Sequence, residues 1–159
     1  MELARRSPYL PGMAIAERWK GHRPLPADLE TRLPLAVDRL RDGGAELVYV
    51  FGSVAASPTP GHEPTDLDLA VWGLSQDRWE VLADIGDALG TDRVDLVLLE
   101  EAEAELRFKV ISEGRLLYRA DLETENRIEL RFVREYQDLA PFRRVQSHYL
   151  RARYTDHGA

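Results

Sequence analysis

The sequence predicts an α/β fold in which helices pack around a small sheet. Three observations predict it. Short apolar runs of strand length recur at Glu46–Phe51, Asp66–Trp72 and Arg93–Leu99. Between and after them lie longer stretches whose apolar residues repeat at helical spacing. The 159 residues, 44% hydrophobic and 31% charged, suit one domain with its own core.

The elements follow in order. Residues 1–27 contain Pro8, Pro11, Pro24 and Pro26 with Gly12 and Gly21. That density of breakers forbids one regular element. The segment reads as an N-terminal arm, with a short helix over Met13–Lys20, that packs on the core or on a partner. Leu29, Leu33, Val37 and Leu40 then make one stripe, which predicts a helix over Ala27–Asp42. Pro34 should kink it or mark a late start, and Gly43-Gly44 ends it. Glu46–Phe51 (ELVYVF) is a buried strand that stops at Gly52-Ser53. Pro58, Pro60, Gly61 and Pro64 make Val54–Thr65 a loop. Asp66–Trp72 (DLDLAVW) is a strand of period two, with Asp66 and Asp68 on one face and Leu67, Leu69 and Val71 on the other.

A helix over Gln76–Leu89 follows, capped by Ser75. Arg93–Leu99 (RVDLVLL) is a third strand, Glu101–Glu113 a helix ended by Gly114, and Leu116–Tyr118 a last short strand. Leu122–Leu139 is amphipathic, with Ile128, Phe132, Val133, Tyr136 and Leu139 on one side. Pro141 interrupts, and Phe142–Tyr154 resumes as a helix. The organisation is therefore an arm (1–27), a core (28–121) and a C-terminal helical segment (122–159) that packs on the core or on a partner.

Composition excludes several functions. With no cysteine there is no disulfide framework, no thiolate zinc site and no cysteine nucleophile. The four histidines share no metal-ligand spacing; His62 lies in the loop before Asp66. No run of about 18 apolar residues is present and no apolar run follows the charged start, so no membrane span or signal peptide is expected. A cytoplasmic location is the expectation. The net charge of -7 argues against general nucleic-acid binding. One exception is Arg127–Arg153, where seven arginines face Glu129, Glu135 and Asp138. That basic segment, interleaved with Tyr136, Phe142, Tyr149 and Tyr154, suits a solvated helix, a docking surface or RNA contact.

Three aspartates carry the chemistry. Asp66 and Asp68 leave one strand on one face, about 7 Å apart along the backbone. Asp95 sits inside another strand, and if the two strands are neighbours the three carboxylates converge. Carboxylates within apolar strands cost several kcal/mol if buried without compensation, and a divalent cation removes that cost. Hard oxygen ligands suit Mg²⁺ or Mn²⁺, ions that also bind phosphates. Gly52 and Ser53, directly after a strand, offer close backbone approach, amide donors and a hydroxyl for phosphate oxygens. Together these parts describe a site for a metal-bound nucleoside triphosphate.

Val48–Trp72 (VYVFGSVAASPTPGHEPTDLDLAVW), with Asp95 in RVDLVLL, resembles the polymerase β-like nucleotidyltransferase superfamily. The Gly-Ser pair, the Asp-x-Asp and a third acid on a later strand are its signature. Arg107–Arg119 (RFKVISEGRLLYR) and Glu135–Phe142 (EYQDLAPF) bring the chain nearer to the minimal nucleotidyltransferase (MNT) antitoxins, the partners of HEPN toxins. The resemblance covers residues 30–145 or so. It implies a polymerase-β-like nucleotidyltransferase fold with a small mixed sheet. It implies that Asp66, Asp68 and Asp95 are catalytic and hold Mg²⁺, and that Gly52 and Ser53 bind the triphosphate. It further implies transfer of AMP from ATP to a tyrosine of a cognate HEPN toxin. Two alternatives stand beside it: nucleotidyl transfer to a small molecule such as an aminoglycoside, and an antitoxin acting by binding alone. The chain departs from the family where an arginine is usual after Gly-Ser; here stand Val54, Ala55, Ala56 and Ser57. Arg107 and Lys109 are the candidates to replace its charge.

Overall fold

The computed structural model describes residues 19–57, 60–61 and 63–155. Most of the expected arm, nearly all of the Met13–Lys20 helix, and His62 lie outside the described residues. The elements run α1 (Leu29–Asp42), β1 (Leu47–Phe51), β2 (Leu67–Trp72), α2 (Arg78–Leu89), β3 (Val94–Leu98), α3 (Ala104–Glu113), β4 (Arg115–Arg119), α4 (Leu122–Asp138) and α5 (Ala140–Thr155).

The strands form one mixed sheet in the order β3-β2-β1-β4. β1 pairs antiparallel with both β2 and β4, and β2 pairs parallel with β3. Strand alternation divides the core between the two faces. Val48, Val50, Leu67, Leu69, Val71, Val94 and Leu96 face α1 and α2, where Leu33, Leu40, Val81 and Ile85 complete one cluster. Leu47, Tyr49, Phe51 and Ala70 face the other way and pack with Val110 of α3 and Ile128 and Phe132 of α4. Asp68 and Asp95, two residues before Ala70 and Val97, belong to this second face.

Several local expectations are corrected. α1 already begins at Leu29 and continues through Pro34, so the proline does not mark a late start. The proline lies on the exposed side, where the carbonyl it leaves without a donor can be hydrated. α2 is capped by Asp77, whose carboxylate accepts from the amides of Trp79 at 2.9 Å and Glu80 at 3.1 Å. Ser75 instead donates to the carbonyl of Gly43 at 3.0 Å, so its hydroxyl is already committed. α3 starts at Ala104, because the preceding acids form a turn in which Glu100 accepts the Gly73 amide. Pro141 does not interrupt: Leu139 is the break, and the proline sits in the first turn of α5, where its missing N–H costs nothing.

α5 touches the body mainly at its start. Arg143 lies 3.7 Å over the Tyr136 ring and donates to the Tyr136 carbonyl at 2.7 Å. None of its described side chains is buried, and Phe142, Val145 and Tyr149 are exposed on one side. Truncation after Arg144 should therefore move the melting temperature by no more than about 2 °C, since the core loses no contact. A thermal scan of the truncated chain checks this; a collapse of the transition would show that the helix holds the fold together.

Residues 19–25, the described end of this segment, pack on the body. Trp19 is buried edge-on against His22, and Leu25 packs against the α1–α2 core.

Candidate active site

β1 ends and β2 begins at the same edge of the sheet, since the strands are antiparallel and Phe51 pairs with Asp68. β3 starts there too, because it runs parallel to β2 and pairs Asp68 with Asp95. Three chain segments thus deliver their residues to one place. Asp66 sits in the bend just before β2, Asp68 within it and Asp95 as the second residue of β3. Each offers one carboxylate oxygen, and the three oxygens lie within 4.8 Å of one another. Asp68 is the buried member, 8% exposed, and its two neighbours are half-buried. The convergence that depended on neighbouring strands is present.

Such a donor set fits a divalent cation by its chemistry. It is all oxygen, it carries three negative charges, and it is spaced to share an ion. The chain has no thiol to draw a softer metal.

Gly52 forms the floor beside Asp68. After extended Phe51 the chain turns through Gly52 at φ +69 into a short 3₁₀ turn over Gly52–Val54. A Cβ at this position would collide with the Asp68 carboxylate. Glycine is therefore required twice, for its backbone angle and for the acid packed on it. Ser53 is exposed in the turn. Val54 and Ala55, where an arginine was expected, pack against the α1–α2 core instead.

Arg107 does not replace that arginine. Its guanidinium donates to the Leu99 carbonyl at 2.7 Å, the Glu100 carbonyl at 2.9 Å and Glu135 at 2.8 Å. Leu99 lies beyond the far end of β3, four residues from Asp95, roughly 13 Å along the strand. Arg107 is a tie between β3, α3 and α4, and only 12% of its side chain is exposed. Lys109 is exposed on α3. Tyr49 on the same sheet face donates to Glu129 at 2.7 Å. Burial, and then the Glu129 carboxylate, push its hydroxyl above the ordinary tyrosine range, so it remains a donor.

Sequence reasoning missed one part of this edge. The turn before β3 is gripped by the arm through Arg23 and Asp92. The only local sign was the polar Thr91-Asp92-Arg93 stretch ahead of an apolar strand.

Residues 41–123 match the family described as Polymerase beta, Nucleotidyltransferase. The chain belongs to this nucleotidyltransferase family. The match spans more than half of the chain and contains all three aspartates and the Gly52-Ser53 turn. No curated protein is significantly similar in sequence. Among solved structures, a tri-AMPylated Shewanella oneidensis HEPN toxin in complex with MNT antitoxin matches at 26% identity and TM-score 0.62, over 77% of this chain and 98% of that one. A toxin–antitoxin with AMP-PNP matches at 28% identity and TM-score 0.62, over 76% and 97%. The toxin–antitoxin MntA–HepT matches at 25% identity and TM-score 0.60, over 76% and 97%. This nucleotidyltransferase therefore shares its fold with MNT antitoxins. A nucleotide substrate and a divalent metal are what that fold implies. No helix among the described residues is long and apolar enough to cross a membrane.

Proposed function

We propose that this nucleotidyltransferase is the antitoxin of a toxin–antitoxin pair, transferring AMP from ATP to a tyrosine of a HEPN toxin. The observation that carries the reading is the Asp66–Asp68–Asp95 cluster packed on Gly52. It sits in a fold shared with a complex whose toxin is AMPylated and with one that holds AMP-PNP.

In this reading Asp66, Asp68 and Asp95 hold Mg²⁺, with Mn²⁺ as a substitute, and the Gly52-Ser53 turn faces the triphosphate. The bound metal supplies charge neutralisation on the phosphates and acidifies the attacking hydroxyl. Asp68, on the central strand pair beside Gly52, would hold the metal together with Asp66 from the bend. Asp95 completes the set from β3 and takes the proton of the tyrosine hydroxyl at its carboxylate oxygen. The tyrosine oxygen bonds to the α-phosphorus as the bond from that phosphorus to the bridging oxygen breaks, and pyrophosphate leaves. The exposed aromatic and basic side chains of α5, Phe142 and Tyr149 among them, offer a surface for a protein acceptor. A location in the cytoplasm accords with such a pair.

A second reading rests on Val54, Ala55, Ala56 and Ser57, which bring no positive charge to the turn: an antitoxin that neutralises by contact. One experiment separates them. The chain is incubated with α-labelled ATP, Mg²⁺ and a HEPN toxin that it binds. Label on a toxin tyrosine is the expected result. Binding with no label would support the contact reading and overturn the enzymatic one.

A further inference from the structure

Among the described residues β3 is an edge strand, paired on one side only, and Asp95 is its second residue. The end of an edge strand is where a sheet frays first. A metal ligand placed there needs an outside hold, and the arm supplies one. Arg23 grips Asp92 with a fork: Nη2 donates to Oδ1 at 2.7 Å and Nε to Oδ2 at 3.1 Å. The Arg23 amide adds a third bond to Oδ2 at 3.2 Å. Fully buried Thr91 donates to the Arg23 carbonyl at 2.9 Å and accepts the Arg93 amide at 3.1 Å. The Arg93 side chain reaches back to the His22 carbonyl at 3.4 Å. The other side of the same turn holds the triad: the Arg93 carbonyl accepts the amide of Leu67, the residue between Asp66 and Asp68, at 2.8 Å.

We propose that Arg23 is a positioning residue of the metal centre, its clasp on Asp92 fixing Asp95 against Asp66 and Asp68. The proposal rests on the metal-binding reading of the triad. An ion pair this exposed contributes little to global stability. Its effect is instead local, on the freedom of the two residues that separate Asp92 from Asp95. The clasp holds across the neutral and mildly acidic range. Hydrogen bonds from Arg23 lower the Asp92 carboxyl to about 2, so the pair is lost only as the pH falls through that value.

The test is Mn²⁺ binding to the full chain, read by electron paramagnetic resonance without nucleotide or acceptor. Arg23→Gln and Asp92→Asn should each weaken Mn²⁺ binding about fivefold to tenfold, the lower end of what supporting contacts of metal ligands cost. The double variant should bind no more weakly than either single one. The swapped pair, Arg23→Asp with Asp92→Arg, should recover part of the loss, which a general loosening of the fold would not allow. If both single variants keep wild-type Mn²⁺ affinity, the clasp has no positioning role. If the wild-type chain binds no Mn²⁺, the metal-binding reading itself falls, and the proposal with it.

Discussion

Asp68→Asn should lower AMP transfer by at least about a thousandfold while leaving the protein folded. Asp68 is the buried member of the triad, paired with Phe51 on one side and Asp95 on the other. Asparagine has the same shape, so neither the strand register nor the contact with Gly52 needs to change. What is lost is one of three negative charges in a cluster whose oxygens lie within 4.8 Å. Without metal, the like charges oppose one another, and removing one offsets what the substitution loses in the contacts of Asp68. The metal-free variant should therefore melt close to the wild type. With metal, the two diverge: the wild type gains stability from Mg²⁺ or Mn²⁺ and the variant gains much less. Thermal scans with and without Mn²⁺, beside a label-transfer assay, measure both. Undiminished transfer would remove Asp68 from the chemistry. A variant that melts far lower without metal would make it a structural residue.

The parts of the molecule that sequence revealed are those whose logic is local. β1 follows from a continuous apolar run, β2 and β3 from short runs whose faces alternate, and the triad follows from acids placed where such runs should be apolar. Their convergence was conditional, because period alone does not say which strands are neighbours. The parallel pairing of β2 with β3 supplies that condition. The errors fall where a tertiary contact overrides a local preference. Ser75 is a good cap by type, but the carbonyl of Gly43, just past the end of α1, takes its hydroxyl. Arg107 looks like a solvated cation on a helix, yet three acceptors from two other segments enclose it. The Arg23–Asp92 clasp joins residues 69 positions apart, and no periodicity records such a pair. Gly52 is an intermediate case. Its place after a strand pointed to a close approach by phosphate, whereas the nearest group packed on it is the protein's own Asp68.

That packing makes Gly52→Ala the sharpest probe of how the turn and the metal site depend on each other. The substitution adds one methyl group and two separate costs. The first is backbone strain, since φ +69 is unfavourable for alanine by roughly 1–2 kcal/mol. The second is the collision of the new Cβ with the Asp68 carboxylate, which must move away. Displacing a reacting group by about 1 Å is enough to cost on the order of a hundredfold in rate. Gly52→Ala should thus lower AMP transfer at least about a hundredfold and lower the melting temperature by a few degrees. The two costs can be separated in an Asp68→Ala background. There the carboxylate is gone, and only the backbone strain remains. Gly52→Ala should then cost measurably less stability than it does in the wild type, the non-additivity expected of groups in contact. Equal costs in the two backgrounds would mean that the turn and the acid are independent. Wild-type transfer by Gly52→Ala would mean that the Asp68 carboxylate does its work from elsewhere.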